Sequence, residues 1–161
     1  MFMIKVAKER GYTNTLAVLP FDHRGSFEKS IFGIQGTPTR REKNEIKKTK
    51  YIIYKGFQEA IHQGIPKSDA AILVDDQYAK EVIHHATKNG IIVALATEKS
   101  GQKMFDFDHG DQFREQVDKL HPTFVKALVR YNPAELESSQ QLTKLKELSD
   151  FADANGYKFL I

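Results

Sequence analysis

Short aliphatic runs alternate along the chain with stretches whose apolar residues recur at helical spacing. Four runs are nearly unbroken: TLAVLPF (15–21), AAILVDD (70–76), IIVALAT (91–97) and FVKALVR (124–130). A fifth, KFLI, begins at 158. Runs of this kind predict strands covered on both faces, because half-exposed strands alternate apolar with polar residues. Between them, Ile46, Ile53, Phe57, Ala60 and Ile61 predict a helix ended by Gly64. Ala79, Val82 and Ala86 predict a second before Asn89-Gly90, and Phe113, Val117 and Leu120 a third before Pro122. Leu142, Leu145, Leu148 and Ala152 predict a fourth, closed by Asn155-Gly156. Its start is expected at Asn132 as cap, with Pro133 in the first turn and Glu135 three residues after the cap. Residues 25–39 carry three glycines and read as a long loop.

Strand and helix alternate with no hairpin signal, which predicts a parallel α/β sheet. An open doubly wound sheet and a closed eight-stranded barrel both fit. In either, chemistry collects at the carboxyl ends of the strands. Those ends read Asp22-His23-Arg24, Asp75-Asp76-Gln77, Glu98-Lys99 and Arg130-Tyr131-Asn132. Charges at four consecutive ends exceed what capping requires, so a shared functional mouth is expected.

Lys126 is the sharpest single signal. It is the third residue of its run, and strand alternation puts Lys126, Leu128 and Arg130 on one face and Val125, Ala127 and Val129 on the other. The aliphatic face should meet helices, leaving Lys126 and Arg130 on the interior side. A lysine there must find a carboxylate or lower its pKa. It is either a group kept for chemistry or one half of an internal ion pair with Asp22 or Asp75. Asp22-His23-Arg24 could supply proton transfer and an anion clamp, or an inter-strand ion pair. His84 and His85 are adjacent on a helix, cannot face one ligand together and read as surface residues. Asp106, Asp108, His109 and Asp111 form a local acidic cluster flanked by aromatics, and no metal is expected there. KSGQ (99–102) is a plausible anion-binding turn.

Composition narrows the classes. The chain has 161 residues, 40% hydrophobic and 28% charged, with a formal charge of +3, as a single soluble domain would have. The absence of cysteine excludes a disulfide framework, a thiol nucleophile and thiolate zinc. No apolar run approaches the ~20 residues of a membrane span. The charged start lacks a signal-peptide core, so a cytoplasmic location is expected. The basic stretch RREKNEIKKTK (40–50) mixes both signs at helical spacing and reads as a solvated face; no nucleic-acid reader motif accompanies it. Small anionic substrates suit this charge equally well.

The stretches LAVLPFDHRGSFEKSIFG (16–33), ILVDDQYA (72–79), ATEKSGQKMFDFDHG (96–110) and FVKALVRYNP (124–133) resemble an aldolase-like barrel family. It is found fused behind 5-dehydro-2-deoxygluconokinase in some bacterial inositol-degradation proteins and is similar in turn to tagatose-bisphosphate aldolase. The resemblance implies a TIM barrel. It also implies Schiff-base cleavage of a deoxy-keto-gluconate phosphate into dihydroxyacetone phosphate and malonic semialdehyde, without metal or cofactor. Such enzymes place an acid on the first strand, a lysine on the fourth, a glutamate on the fifth and the imine-forming lysine on the sixth. Asp22 matches the first position and Lys126 the second. Arg24, Asp75, Gln77, Glu98, Lys99 and Arg130 are the expected substrate contacts.

A full barrel takes ~250 residues, and Ile161 falls within the fifth strand, so about five of eight units are expected here. On that reading the fifth-strand glutamate and the imine lysine are missing and the chain alone is inactive. Its exposed sheet edges would favour a homo-oligomer. The alternatives are a non-catalytic fragment or split-barrel half that binds sugar phosphate, and an isomerase or epimerase on the same scaffold.

Overall fold

A computed structural model describes residues 11–135 and 137–161. The charged start, residues 1–10, and Leu136 lie outside the described residues. Five strands form one sheet: β1 (Ala17–Pro20), β2 (Ala70–Val74), β3 (Ile92–Ala96), β4 (Phe124–Lys126) and β5 (Lys158–Leu160). All four pairings are parallel and the order is β1-β2-β3-β4-β5. The main helices are α1 (Gly25–Ser30), α2 (Arg40–His62), α3 (Asp76–Lys88), α4 (Phe113–Leu120) and α5 (Ser138–Asn155).

Register and alternation sort the strand residues onto two faces. Leu19, Ile72 and Val93 are cross-strand partners, as are Leu95, Val125 and Phe159. All six belong to one core with Tyr54 and Phe57 of α2, Val82, Ile83 and Ala86 of α3, Val117 and Leu120 of α4, and Leu145, Leu148 and Phe151 of α5. The helices therefore cover one face. That follows from sequential strand order, because right-handed crossovers always return on the same side. A doubly wound sheet would instead reverse its order at a switch point and carry helices on both faces. Burying a side chain such as Ile72 or Leu148 contributes roughly 2 kcal/mol.

The opposite face carries Val18, Ala71, Leu73, Ala94, Ala96, Phe124, Lys126 and Leu160 in register. Its alanines are buried, while Val18 is 43% and Leu128 50% exposed. At its amino-terminal end Tyr12 packs edge-on against Phe124 at 5.4 Å.

Three sequence expectations shift. The residues expected as a continuous loop, 25–39, contain the short helix α1. The fourth strand ends at Lys126, not at 130. The last helix begins at Ser138, its cap position held by Glu137 without a side-chain cap bond. Asn132 does accept an N–H, but from Ala134 in a separate turn. Its capping chemistry is satisfied locally, and Glu135 pairs with Lys103 at 3.4 Å instead. Among the described residues no helix is long and apolar enough to cross a membrane.

Candidate functional site

Three strand ends meet above the open face. Lys126, the last residue of β4, donates from Nζ to Asp22 Oδ2 (2.9 Å) just beyond β1 and to Glu98 Oε1 (2.7 Å) just beyond β3. The second Glu98 oxygen accepts the Leu128 amide at 3.3 Å. Glu98 is held in place by its own loop. It bridges Phe107, while Lys99 N–H bonds to Asp106 and Asp108 N–H to Thr97. Phe107 stacks on Phe113 at 3.8 Å and so ties that loop to α4. Burial alone would lower the pKa of Lys126, but the hydrogen bonds and charges of Glu98 and Asp22 outweigh it and hold the ammonium above its ordinary value.

Arg24 forms the second half of the cluster. It is 4% exposed. Its Nη2 donates to the Glu98 carbonyl (2.5 Å) and lies 3.6 Å from Glu98 Oε1; its Nη1 donates to Asp108 Oδ2 (2.9 Å). Its Nε has no hydrogen-bond partner among the described residues. These groups border a cleft of about 800 Å³, also lined by His23, Ser26, Lys29, Lys99, Ser100, Gln102 and Arg130. Five cationic side chains (Arg24, Lys29, Lys99, Lys126, Arg130) line it against two carboxylates, Asp22 and Glu98. Arg130 Nη1 donates to the Gln102 carbonyl, and among the described residues Lys29, Lys99 and Arg130 form no salt bridge.

Of the eight residues expected at the mouth, Asp22, Arg24, Glu98, Lys99, Lys126 and Arg130 line this one cleft. Asp75 and Gln77 do not. Gln77 is exposed in the first turn of α3. Asp75 is fully buried: one oxygen accepts the Tyr78 amide and caps α3, and the other is ion-paired to Lys50. Capping and the Lys50 ammonium answer its charge, and it takes no part in the Lys126 ion pair.

Lys50 is the residue that sequence reasoning missed. It sits on α2, 0% exposed, inside a stretch that reads as solvated. Nζ donates to Asp75, to the Phe21 carbonyl (2.9 Å) and to the His23 carbonyl (2.9 Å). The rings of Phe27 and Tyr78 flank it at 5.6 and 5.7 Å. Burial pushes its pKa below the ordinary lysine value against the pull of Asp75, and burial pushes Asp75 upward. The spacing held a signal: Lys50 lies four residues after Ile46 and four before Tyr54, both fully buried. Gln141 of α5 was also missed. It is buried, accepts the Phe105 amide (2.7 Å) and donates to the Arg130 carbonyl (3.1 Å), joining two walls of the cleft.

The acidic cluster disperses. Asp106 pairs with Lys144, Asp108 with Arg24, and His109 with Asp76 at 2.7 Å. Asp76, Asp108 and His109 are near enough together to share a cation. Gln116 also donates to Asp76 Oδ2 (2.6 Å) and Arg24 to Asp108 Oδ2 (2.9 Å).

The alkaline limb of stability tests this electrostatic arrangement. The folded pKa of Lys126 is raised above the ordinary 10.5, so its contribution is complete below that pH and lost as pH rises through the folded value. Buried Tyr54, raised from 10.0 to about 12, acts in the same sense. The denaturation midpoint is therefore expected to fall between about pH 10 and 12. In Lys126→Met the fall should be shallower. Equal slopes would show that Lys126 gains nothing from its carboxylates.

Fold and cleft together define an α/β protein with a charged site at the carboxyl ends of a singly wound parallel sheet. The chain belongs to a bacterial family, described as "Uncharacterized protein conserved in bacteria (DUF2090)", whose model matches residues 2–161. No curated protein and no solved structure matches it.

Proposed function

We propose that the cleft is the substrate site of a Schiff-base carbon–carbon lyase acting on a keto-sugar phosphate, and that the sheet is the first part of a (β/α)8 barrel. The reading rests on one observation above the others: a lysine at the end of β4 is held as an ammonium between the carboxylates that end β1 and β3. The sequence resemblance points the same way. Sequential strand order and a one-sided helix layer are the arrangement that barrel closure requires.

In this mechanism an unprotonated lysine, which the family resemblance puts on a sixth strand, adds to the substrate ketone and loses water to give an iminium. A carboxylate takes the hydroxyl proton beside the scissile bond, and the bonding electron pair moves into the iminium to give an enamine. Protonation of the enamine carbon and hydrolysis then release the ketone product. In this reading Asp22 is the carboxylate, as the family resemblance implies. Lys126 does not serve as the nucleophile, because its lone pair is occupied by a proton that two carboxylates hold in place. It stabilises negative charge and relays the proton instead. Lys29, Lys99 and Arg130, which line the cleft and form no salt bridge among the described residues, hold the phosphate.

Titration with dihydroxyacetone phosphate, followed by borohydride trapping, tests the reading. Saturable binding is expected, weakened roughly tenfold by Lys99→Ala or Arg130→Ala, as for loss of one charge-assisted hydrogen bond. No borohydride-stable adduct should form on Lys126. An adduct there would make Lys126 the nucleophile, and absence of saturable binding at millimolar ligand would remove the sugar phosphate from the proposal.

A further inference from the structure

We infer that Lys50, on a helix behind the sheet and without access to the cleft, is the positioning residue that sets the geometry of the Asp22–Lys126 and Arg24–Glu98 contacts. The chain leaves the sheet just after β1, its last ladder bond running from Phe21 N–H to the Leu73 carbonyl (2.8 Å). Over the next residues the side chains that matter point toward the cleft: Asp22 to Lys126, Arg24 to Glu98 and Asp108. The carbonyls of the alternate residues, Phe21 and His23, turn away from it, and both end on one atom, Lys50 Nζ.

An ammonium has three protons. Here the Phe21 carbonyl, the His23 carbonyl and the Asp75 carboxylate take all three. A neutral donor of the same length would have no reason to stay buried beside Asp75, and an apolar one would leave both carbonyls unpaired. Lys50 thus pins the segment on either side of Asp22, and Asp75 anchors Lys50 to the end of β2. With the two carbonyls fixed, Asp22 has little backbone freedom left and its carboxylate stays 2.9 Å from Lys126 Nζ. This reading gives a reason for a buried ion pair that contributes no atom to the cleft.

The inference rests on the cleft being the functional site, but its test involves no substrate, so its failure and that of the lyase reading are distinguishable. The test variant is the pair Lys50→Met with Asp75→Asn. Methionine keeps the stem, and asparagine keeps an oxygen to accept the Tyr78 amide, so no charge is stranded. The readouts are the titration of Lys126, followed by NMR of its labelled ε-carbon, and the amide signals of residues 22 to 24. Lys126, freed from its fixed carboxylate, should titrate roughly half a pH unit or more lower, and those amide signals should move.

Leu148→Ala is the control: it cuts a fully buried side chain of α5 away from the latch and should lower stability while leaving the Lys126 titration in place. The inference is overturned if Lys126 titrates as in the parent when Lys50 is gone, or if the Leu148 control shifts it equally. Should the double variant not fold, Lys50→Arg keeps a cation opposite Asp75 while displacing the two carbonyls; the same readouts then decide in the same way.

Discussion

Lys126→Met is expected to lower stability by roughly 3 kcal/mol at neutral pH and, on the proposed lyase reading, to abolish aldol cleavage. Methionine matches the stem, so packing changes little. The cost comes from charge: the Asp22 and Glu98 carboxylates share one ammonium and are largely buried, and its removal leaves them facing each other. Breaking a buried pair from one side costs about 3–5 kcal/mol. The low end applies because Arg24 remains beside Glu98. Asp22→Asn in the same chain should restore most of the loss, since only Glu98 then needs a cation. Denaturation and cleavage rates measured on the single and double variants separate the two roles. Stability that returns in the double variant assigns the loss to the stranded carboxylates; because Asp22→Asn also removes the proposed proton acceptor, cleavage is read in the single variant, where a fall by orders of magnitude per folded molecule puts Lys126 in the chemistry. If Lys126→Met unfolds no more easily than the parent, the ion pair contributes nothing, and the account of the cleft is wrong at its centre.

Asp75→Ala should be the most destabilising substitution in the chain, at about 4–6 kcal/mol. It strands the Lys50 ammonium in a fully buried site, at roughly 3–5 kcal/mol. It also removes the side-chain cap of α3, worth about 1 kcal/mol. Domains of this size hold only about 5–15 kcal/mol in reserve, so much of the protein should be unfolded near physiological temperature. Gln77→Ala, two residues on and exposed, should be close to neutral. Urea denaturation of the pair measures the contrast. An Asp75→Ala loss below about 2 kcal/mol would mean that Lys50 finds solvent or another anion when its partner goes.

Strands and their sides were legible in the chain. AAILV and IVALA are aliphatic throughout because β2 and β3 are covered by helices on one side and shielded by their neighbours on the other. Period-two alternation was enough to put Lys126 opposite Val125 and Ala127, and the structure keeps that division, with Val125 and Ala127 in the helix-covered core. Six of the eight mouth residues line one cleft, as the rule that chemistry collects at the carboxyl ends of parallel strands predicts, whereas Asp75 and Gln77, placed by the same rule, do not. Strand order did not follow: alternation alone admits both a switch-point sheet and a sequential one.

Pairing was decided only by the tertiary structure. Asp75 and Glu98 look alike in sequence, each an acid just after an aliphatic run, yet one faces Lys50 behind the sheet and the other faces Lys126 in the cleft. Alternation gives both the same face, Asp75 two residues after Leu73 and Glu98 two after Ala96; they part beyond the strand, where Asp75 turns to cap α3 and meets Lys50 of α2, a helix placed by a crossover of many residues. Lys50 was hidden for a related reason. Local composition reports the average solvation of a helix turn, whereas burial of one side chain depends on how α2 is rotated against β1 and β2. A charge is buried only where distant groups supply its hydrogen bonds: here two carbonyls 27 and 29 residues upstream and a carboxylate 25 residues downstream. Local pattern determined which residues form strands and which of their faces is apolar, because both depend on near neighbours. The partner of each buried charge is a property of the assembled fold, because it is fixed by contacts between segments far apart in the chain.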